Sequence, residues 1–148
     1  MKKYIIALLV LAAICVTAYA EKADFTVFFT IHETLDYGNI AFADTGESGA
    51  VAKKDDGDQY FYLTPVTNNL PSGRKAYFRS MLSKEKTTSA IASKSVTVTK
   101  STKSTVKAKY NSGKAKGGKM YFLACAGQAI AEDQFLGQQF KITGRWNP

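Results

Sequence analysis

The sequence predicts an all-β protein, a single antiparallel β-sandwich domain over residues 21–148 behind a cleaved signal peptide, and three observations carry that expectation. Apolar residues recur at every second position in several short runs, the period at which side chains share one face of a strand. Clusters of Gly, Pro, Asn and Asp, the residues that turns require, divide those runs. Apolar repeats at three and four residues are confined to the first twenty residues and a weaker stretch at 124–136. Short strands at close spacing with turns between them are the pattern of a sandwich.

The chain opens with Met1-Lys2-Lys3, an apolar run from Tyr4 to about Val16, and then Ala18-Tyr19-Ala20. A charged start, an apolar centre and an A-x-A end make a secretory signal over residues 1–20, cut between Ala20 and Glu21. The rival reading is an uncleaved anchor, since the apolar stretch approaches the roughly 17 residues of a spanning helix. Small residues at Ala18 and Ala20 favour cleavage and a secreted, extracellular product. Cys15 follows Ile14 rather than a small residue, which argues against lipidation. The mature chain is then 128 of the 148 residues, enough for one domain with a core of its own. Only Cys125 remains in it, so no internal disulfide is available. It lies in the apolar run Tyr121-Phe122-Leu123-Ala124-Cys125-Ala126 and reads as a small buried hydrophobe, with an intermolecular bridge as the alternative.

Phe25, Val27, Phe29 and Ile31 share one face of the first strand. A second run, Tyr60 to Thr64, follows the acidic turn Asp55-Asp56-Gly57-Asp58 and stops at Pro65. Ala76, Phe78, Ser80 and Leu82 share a face opposite Lys75, Tyr77, Arg79 and Met81, and Phe140, Ile142 and Trp146 close the chain in the same way. Between them, Val96 and Val98 share parity with Val106, Ala108 and Tyr110, while Thr97, Lys103, Lys107 and Lys109 take the other. Two strands around a turn near Lys100–Lys103 account for this, because Thr and Val are good strand residues.

Charge divides along the chain. Residues 21–58 hold nine acids against three lysines, and residues 59–148 hold fifteen Lys or Arg against three acids. The stretch 93–120 alone carries eight lysines and no acid. A solvated face explains such a run. The sharper reading is an anion-binding surface made of Lys103, Lys107, Lys109, Lys114, Lys116 and Lys119, facing an anionic cell-wall polymer or membrane surface. Nucleic acid is not expected, because the stripe lacks interleaved aromatics and the protein is exported.

Motifs for chemistry fall short. Gly113-Lys114-Ala115-Lys116-Gly117-Gly118-Lys119 has the spacing of a phosphate-binding loop, but Met120 stands where a magnesium-binding hydroxyl belongs and a strand follows. His32 is the only histidine, too few for a zinc site, and no G-x-S-x-G elbow supports a triad. Asp55, Asp56 and Asp58 could meet calcium but fit no EF-hand loop, and a turn explains them. Glu132 and Asp133 are adjacent, a poor arrangement for an acid–base pair. No enzyme, cofactor or metal is expected.

The order of Phe61-Tyr62-Leu63, the Val96/Val98 strand, Tyr110 with Gly113, and the closing Ile142-Thr143-Gly144-Arg145-Trp146 resembles an uncharacterised family of small secreted proteins from Gram-positive bacteria. The resemblance implies export and a β fold and brings no activity or site. A more distant likeness is to lactococcin-type β-sandwich bacteriocins, which share export and strand richness. The function expected is non-enzymatic binding of an anionic envelope polymer. The alternatives are a bacteriocin-like or signalling protein acting on other cells, and a carbohydrate-binding module using Tyr60, Tyr62 and Tyr77. Mass spectrometry of the exported protein should find Glu21 as its first residue; an intact leader on membrane-bound protein would overturn secretion in soluble form.

Overall fold

Alternation in the first apolar run produces strand β1 (Ala23–His32), whose inward side chains are buried and whose outward ones are not. The structure is a computed structural model that describes residues 22–45, 48–129 and 131–148. The expected signal peptide, residues 1–20, lies outside the described residues. Eight further strands follow: β2 (Ala41–Phe42), β3 (Val51–Ala52), β4 (Tyr60–Asn68), β5 (Lys75–Met81), β6 (Val96–Thr99), β7 (Val106–Lys109), β8 (Met120–Gln128) and β9 (Gln139–Asn147). Helical geometry among the described residues is limited to two three-residue 3-10 turns, at Tyr37–Asn39 and Thr88–Ala90. The all-β class stands.

The strands join in the order β6-β5-β8-β1-β9-β4-β7, with the short β2 and β3 added to β8. The two ends of this path meet. Ser93 bridges Tyr110, the Lys94 N–H donates to the Lys109 carbonyl at 2.9 Å, and the Asn111 N–H donates to the Ala92 carbonyl at 2.8 Å. The result is one nearly closed sheet where two facing sheets were expected. It is also mixed rather than antiparallel, since the end of β1 meets β8 in parallel, with Ile31 opposite Gly127 and His32 opposite Gln128. Alternation says which side chains share a face, but not which strand lies alongside; that is why the topology was not legible.

Above this parallel contact β1 and β8 diverge, and the chain fills the opening with residues 41–44. Ala41 and Phe42 pair with Cys125 and Ala124, and the Ala43 N–H donates to the Leu123 carbonyl at 2.9 Å. Asp44 then exchanges two backbone bonds with Thr26, at 2.8 and 3.0 Å. Two other expectations need correction. The run from Tyr60 does not stop at Pro65; β4 continues to Asn68 through an irregular register between Pro65 and Thr67. A bulge tolerates a residue with no N–H to give. The stretch at 124–136 is strand to Gln128, and its described residues beyond that form turns and a bridge from Leu136 to Ile31, not helix.

Phe25, Val27, Phe29, Ile142 and Trp146, the expected core, are each at most 2% exposed. They pack with Phe61, Leu63, Phe78, Tyr121 and Leu123 into one cluster. Cys125 is buried within it, which leaves no surface for a bridge to another chain, and burial pushes its thiol well above the usual range. At the end of β5 the face changes: Met81 is buried in a smaller cluster with Ile40, Ala90 and Ala124, while Leu82 is half-buried. Ser80 is buried as well, but its N–H reaches Ser93 Oγ at 2.9 Å and its hydroxyl meets the Tyr110 phenol at 3.1 Å. Buried polar groups of this kind are tolerable because they are paired.

Gly144 sits where β9 passes between β1 and β4, opposite Phe25 and Pro65. A Cβ there would stand 2.3 Å from the Thr64 carbonyl oxygen and 2.8 Å from the Phe25 ring. Neither neighbour can retreat far, one being backbone and the other core. Gly144→Ala should therefore destabilise the domain by about 1–3 kcal/mol or more. Urea unfolding checks this: the midpoint falls, and an unchanged midpoint would show that the strands separate more easily than the packing implies.

Candidate functional site: the lysine-bearing face

β7 pairs with β4 so that Lys109 stands opposite Tyr60 and Lys107 opposite Tyr62. Both lysines are exposed and both tyrosines half-buried. The Lys107 ammonium lies 4.7 Å from the centre of the Tyr60 ring, close enough for attraction to the ring face. Asp58 holds the aromatic side of this pairing. Its Oδ1 accepts the Tyr60 N–H at 3.0 Å and the Tyr62 phenol at 3.3 Å. Burial, aided by the Asp58 charge, raises the Tyr62 phenol above its ordinary range. Lys103 is exposed on the connection between β6 and β7. None of Lys103, Lys107 and Lys109 has an acidic ion-pair partner among the described residues.

The other three candidate lysines stand apart on the loop between β7 and β8. Gly113 and Gly118 supply the positive φ angles, 68° and 72°, that its turns require. The Lys114 side chain is half-buried, and the Lys116 and Lys119 side chains are exposed. The Tyr121 phenol ties the loop down by donating to the Lys114 carbonyl and accepting the Lys116 N–H at 2.9 Å. On its far side the loop meets the acidic turn. Lys116 Nζ lies 4.0 Å from Asp56 Oδ2, and the Gly117 N–H donates to Asp56 Oδ1. The six lysines thus lie on two elements, and the acidic turn reaches both: Asp56 meets the loop, and Asp58 holds the tyrosines opposite Lys107 and Lys109.

The same contacts dispose of the phosphate-loop spacing. An amide that such a loop would turn toward a phosphate is already given to Asp56, and Met120 begins β8 instead of a helix. Asp55 is likewise committed: its Oδ1 accepts the Gly57 and Asp58 N–H groups at 2.8 and 3.0 Å, which hold its carboxyl below the usual range. His32 Nε2 lies 2.7 Å from Thr30 Oγ1 at the end of β1. Glu132 is exposed at φ 60°, whereas Asp133 is buried against Arg74 Nε at 2.5 Å and held below the usual carboxylate range by that guanidinium.

Sequence reasoning missed Lys53. It is one of two adjacent lysines ahead of the acidic turn, and it is 2% exposed. Its Nζ donates to the Pro148 carbonyl at 3.1 Å and lies 5.1 Å from the centre of the Tyr110 ring. Burial lowers its pKa, and the charges of Asp58, Asp55 and Asp56 oppose that shift. The backbone signal is also specific: the Lys53 N–H reaches the Lys119 carbonyl, and the Gly118 N–H reaches the Lys53 carbonyl, at 2.9 and 2.8 Å. Nothing in a Lys-Lys pair announces this, because the burial arises only where three distant segments meet.

Because Asp56 is exposed and its ion pair long, Asp56→Ala should shift stability by no more than about 0.5 kcal/mol. The Gly117 amide loses its acceptor, so its hydrogen exchange, followed by NMR, should accelerate by up to about tenfold. Unchanged exchange would mean that the acidic turn does not hold the basic loop. No known protein family, curated protein or solved structure matches the chain.

Proposed function

We propose that this chain is an exported, non-enzymatic bacterial protein that captures an extended anionic polymer of the cell envelope on the outward face of β4 and β7. The observation that carries the reading is the pairing of Lys107 and Lys109 with Tyr62 and Tyr60. Two cations two residues apart on a strand are spaced by about 7 Å, a repeat suited to an extended polyanion. They sit on paired strands rather than on a mobile tail, so little order has to be imposed on binding. Lys103 extends the charge beyond them, and the loop of Lys114, Lys116 and Lys119 adds a second positive segment that Asp56 partly offsets.

The carbohydrate-binding alternative gains from the same pairing. β4 places two aromatic rings beside the cations, and half-exposed tyrosine rings offer sugars a surface to lie on. An anionic glycan would use both features. Tyr77 does not join them, since it lies on β5, separated from β4 by β6 and β7 even across the seam. An anionic membrane surface would use the charge alone.

Purified mature protein should bind anionic wall polymers, and the binding should weaken steeply between low and physiological salt, where exposed charges interact over only about 8 Å. Changing Lys103, Lys107 and Lys109 together to Gln should weaken binding while leaving the thermal melt nearly unmoved. If the triple variant binds as well as the parent at low salt, these lysines are a solvated face and the reading fails.

A further inference from the structure

Beside the lysine face is a cleft of about 120 Å³, where Thr105, just ahead of β7, meets β4 and the close of β9. Tyr62 forms part of its wall and stands opposite Lys107, so the cleft continues the surface already described. Lys22 and Arg145 bring two cations to it. Asp24 engages Arg145 only at Nε, at 3.3 Å, and a guanidinium has five N–H donors. The Thr64 and Thr105 hydroxyls share one hydrogen bond of 2.7 Å. One of the two therefore keeps an O–H to give, and both keep lone pairs.

Asn147 supplies the decisive feature. It lines the cleft beside Trp146, and its Oδ1 and the Trp146 Nε1 are both buried with no hydrogen-bond partner among the described residues. A buried acceptor without a donor is unfavourable, and each one calls for an explanation. The cations and the Trp146 indole N–H ask for an anionic acceptor, while Asn147 asks for a donor. Fully ionised phosphate or sulfate offers acceptors only. A sugar ring that carries a carboxylate offers an anion for Lys22 and Arg145, hydroxyl donors for Asn147, and a face for Tyr62.

We propose that this cleft is a subsite for one uronate unit of an anionic glycan. The proposal rests on polymer capture by the neighbouring lysines and names the unit that is recognised. Binding there has a built-in reporter, because the chain's single tryptophan, Trp146, lines the cleft.

The test titrates the mature protein with trigalacturonate, neutral maltotriose and inorganic polyphosphate, following Trp146 fluorescence and calorimetric heat. Trigalacturonate should change Trp146 emission saturably, and maltotriose should not. The double variant Thr105→Val with Asn147→Leu should bind trigalacturonate about tenfold more weakly and polyphosphate as the parent does. Thr105→Val alone, near-isosteric and at an exposed position, keeps the comparison available if the double variant does not fold. Unweakened trigalacturonate binding by the folded variants, or equal binding of maltotriose, would overturn the subsite and leave polymer capture standing. Failure of both polyphosphate and trigalacturonate to bind the parent would overturn polymer capture, and the subsite with it.

Discussion

The antiparallel ladder between β1 and β9 runs through eight pairs, from Ala23 opposite Trp146 to Thr30 opposite Gln139, and joins residues more than a hundred positions apart. Every other pairing takes its place from this ladder. β9 carries β4 on its free side and thereby β7, while β1 reaches β8 at Ile31 and His32 and thereby β5 and β6. The ladder also sets the core, because the inward residues of its two strands, Phe25, Val27, Phe29, Phe140, Ile142 and Trp146, face the remaining strands from one side. Its tightest point is Gly144, where three strands pass too closely for any side chain. A topology built from such distant pairings has a high loop-closure cost in folding and would be expected to fold slowly.

Closure of the sheet at Ser93 and Tyr110 completes what the ladder begins. A sheet left open there would present unpaired N–H and C=O groups on β6 and β7, the edge that invites pairing with another chain. The structure covers part of it with the two backbone bonds at the seam. It then surrounds the junction with buried polar pairs: Ser80 with Ser93, Ser80 with Tyr110, and Lys53 near the Tyr110 ring. Burial pushes the Tyr110 phenol far up, so it stays neutral across the physiological range. The same closure brings Lys109, at the end of β7, beside the turn that leads to the basic loop.

Electrostatics follow from the topology. Acids concentrate before residue 59 and bases after it, so two poles were conceivable from composition. The sheet instead folds the acidic turn at 55–58 against the lysine loop, and Asp58 under the tyrosines of β4. Of the six candidate lysines only Lys116 gains an acidic ion-pair partner among the described residues; those on β7 and its turn have none. The acidic turn offsets the loop group only in part, through Lys116, and leaves the cations of β7 and its turn without an ion pair.

The sequence by itself determined the class and the faces. Period-two runs at 25–31, 76–82 and 140–146 name residues that are buried, apart from half-buried Leu82, and the alternation at 95–110 names the turn and the outward lysines correctly. These are local properties, set by side chains two apart on one chain. Tertiary structure alone decided the rest: which strands are neighbours, the parallel meeting of β1 with β8, the passage of β4 through Pro65, and the stitch at 41–44. It also decided that Lys53 is buried and that Asn147 Oδ1 is left without a donor. Alternation fixes a side chain's direction, but partners come from segments far along the chain. Burial and unmet hydrogen bonds exist only once those segments have met.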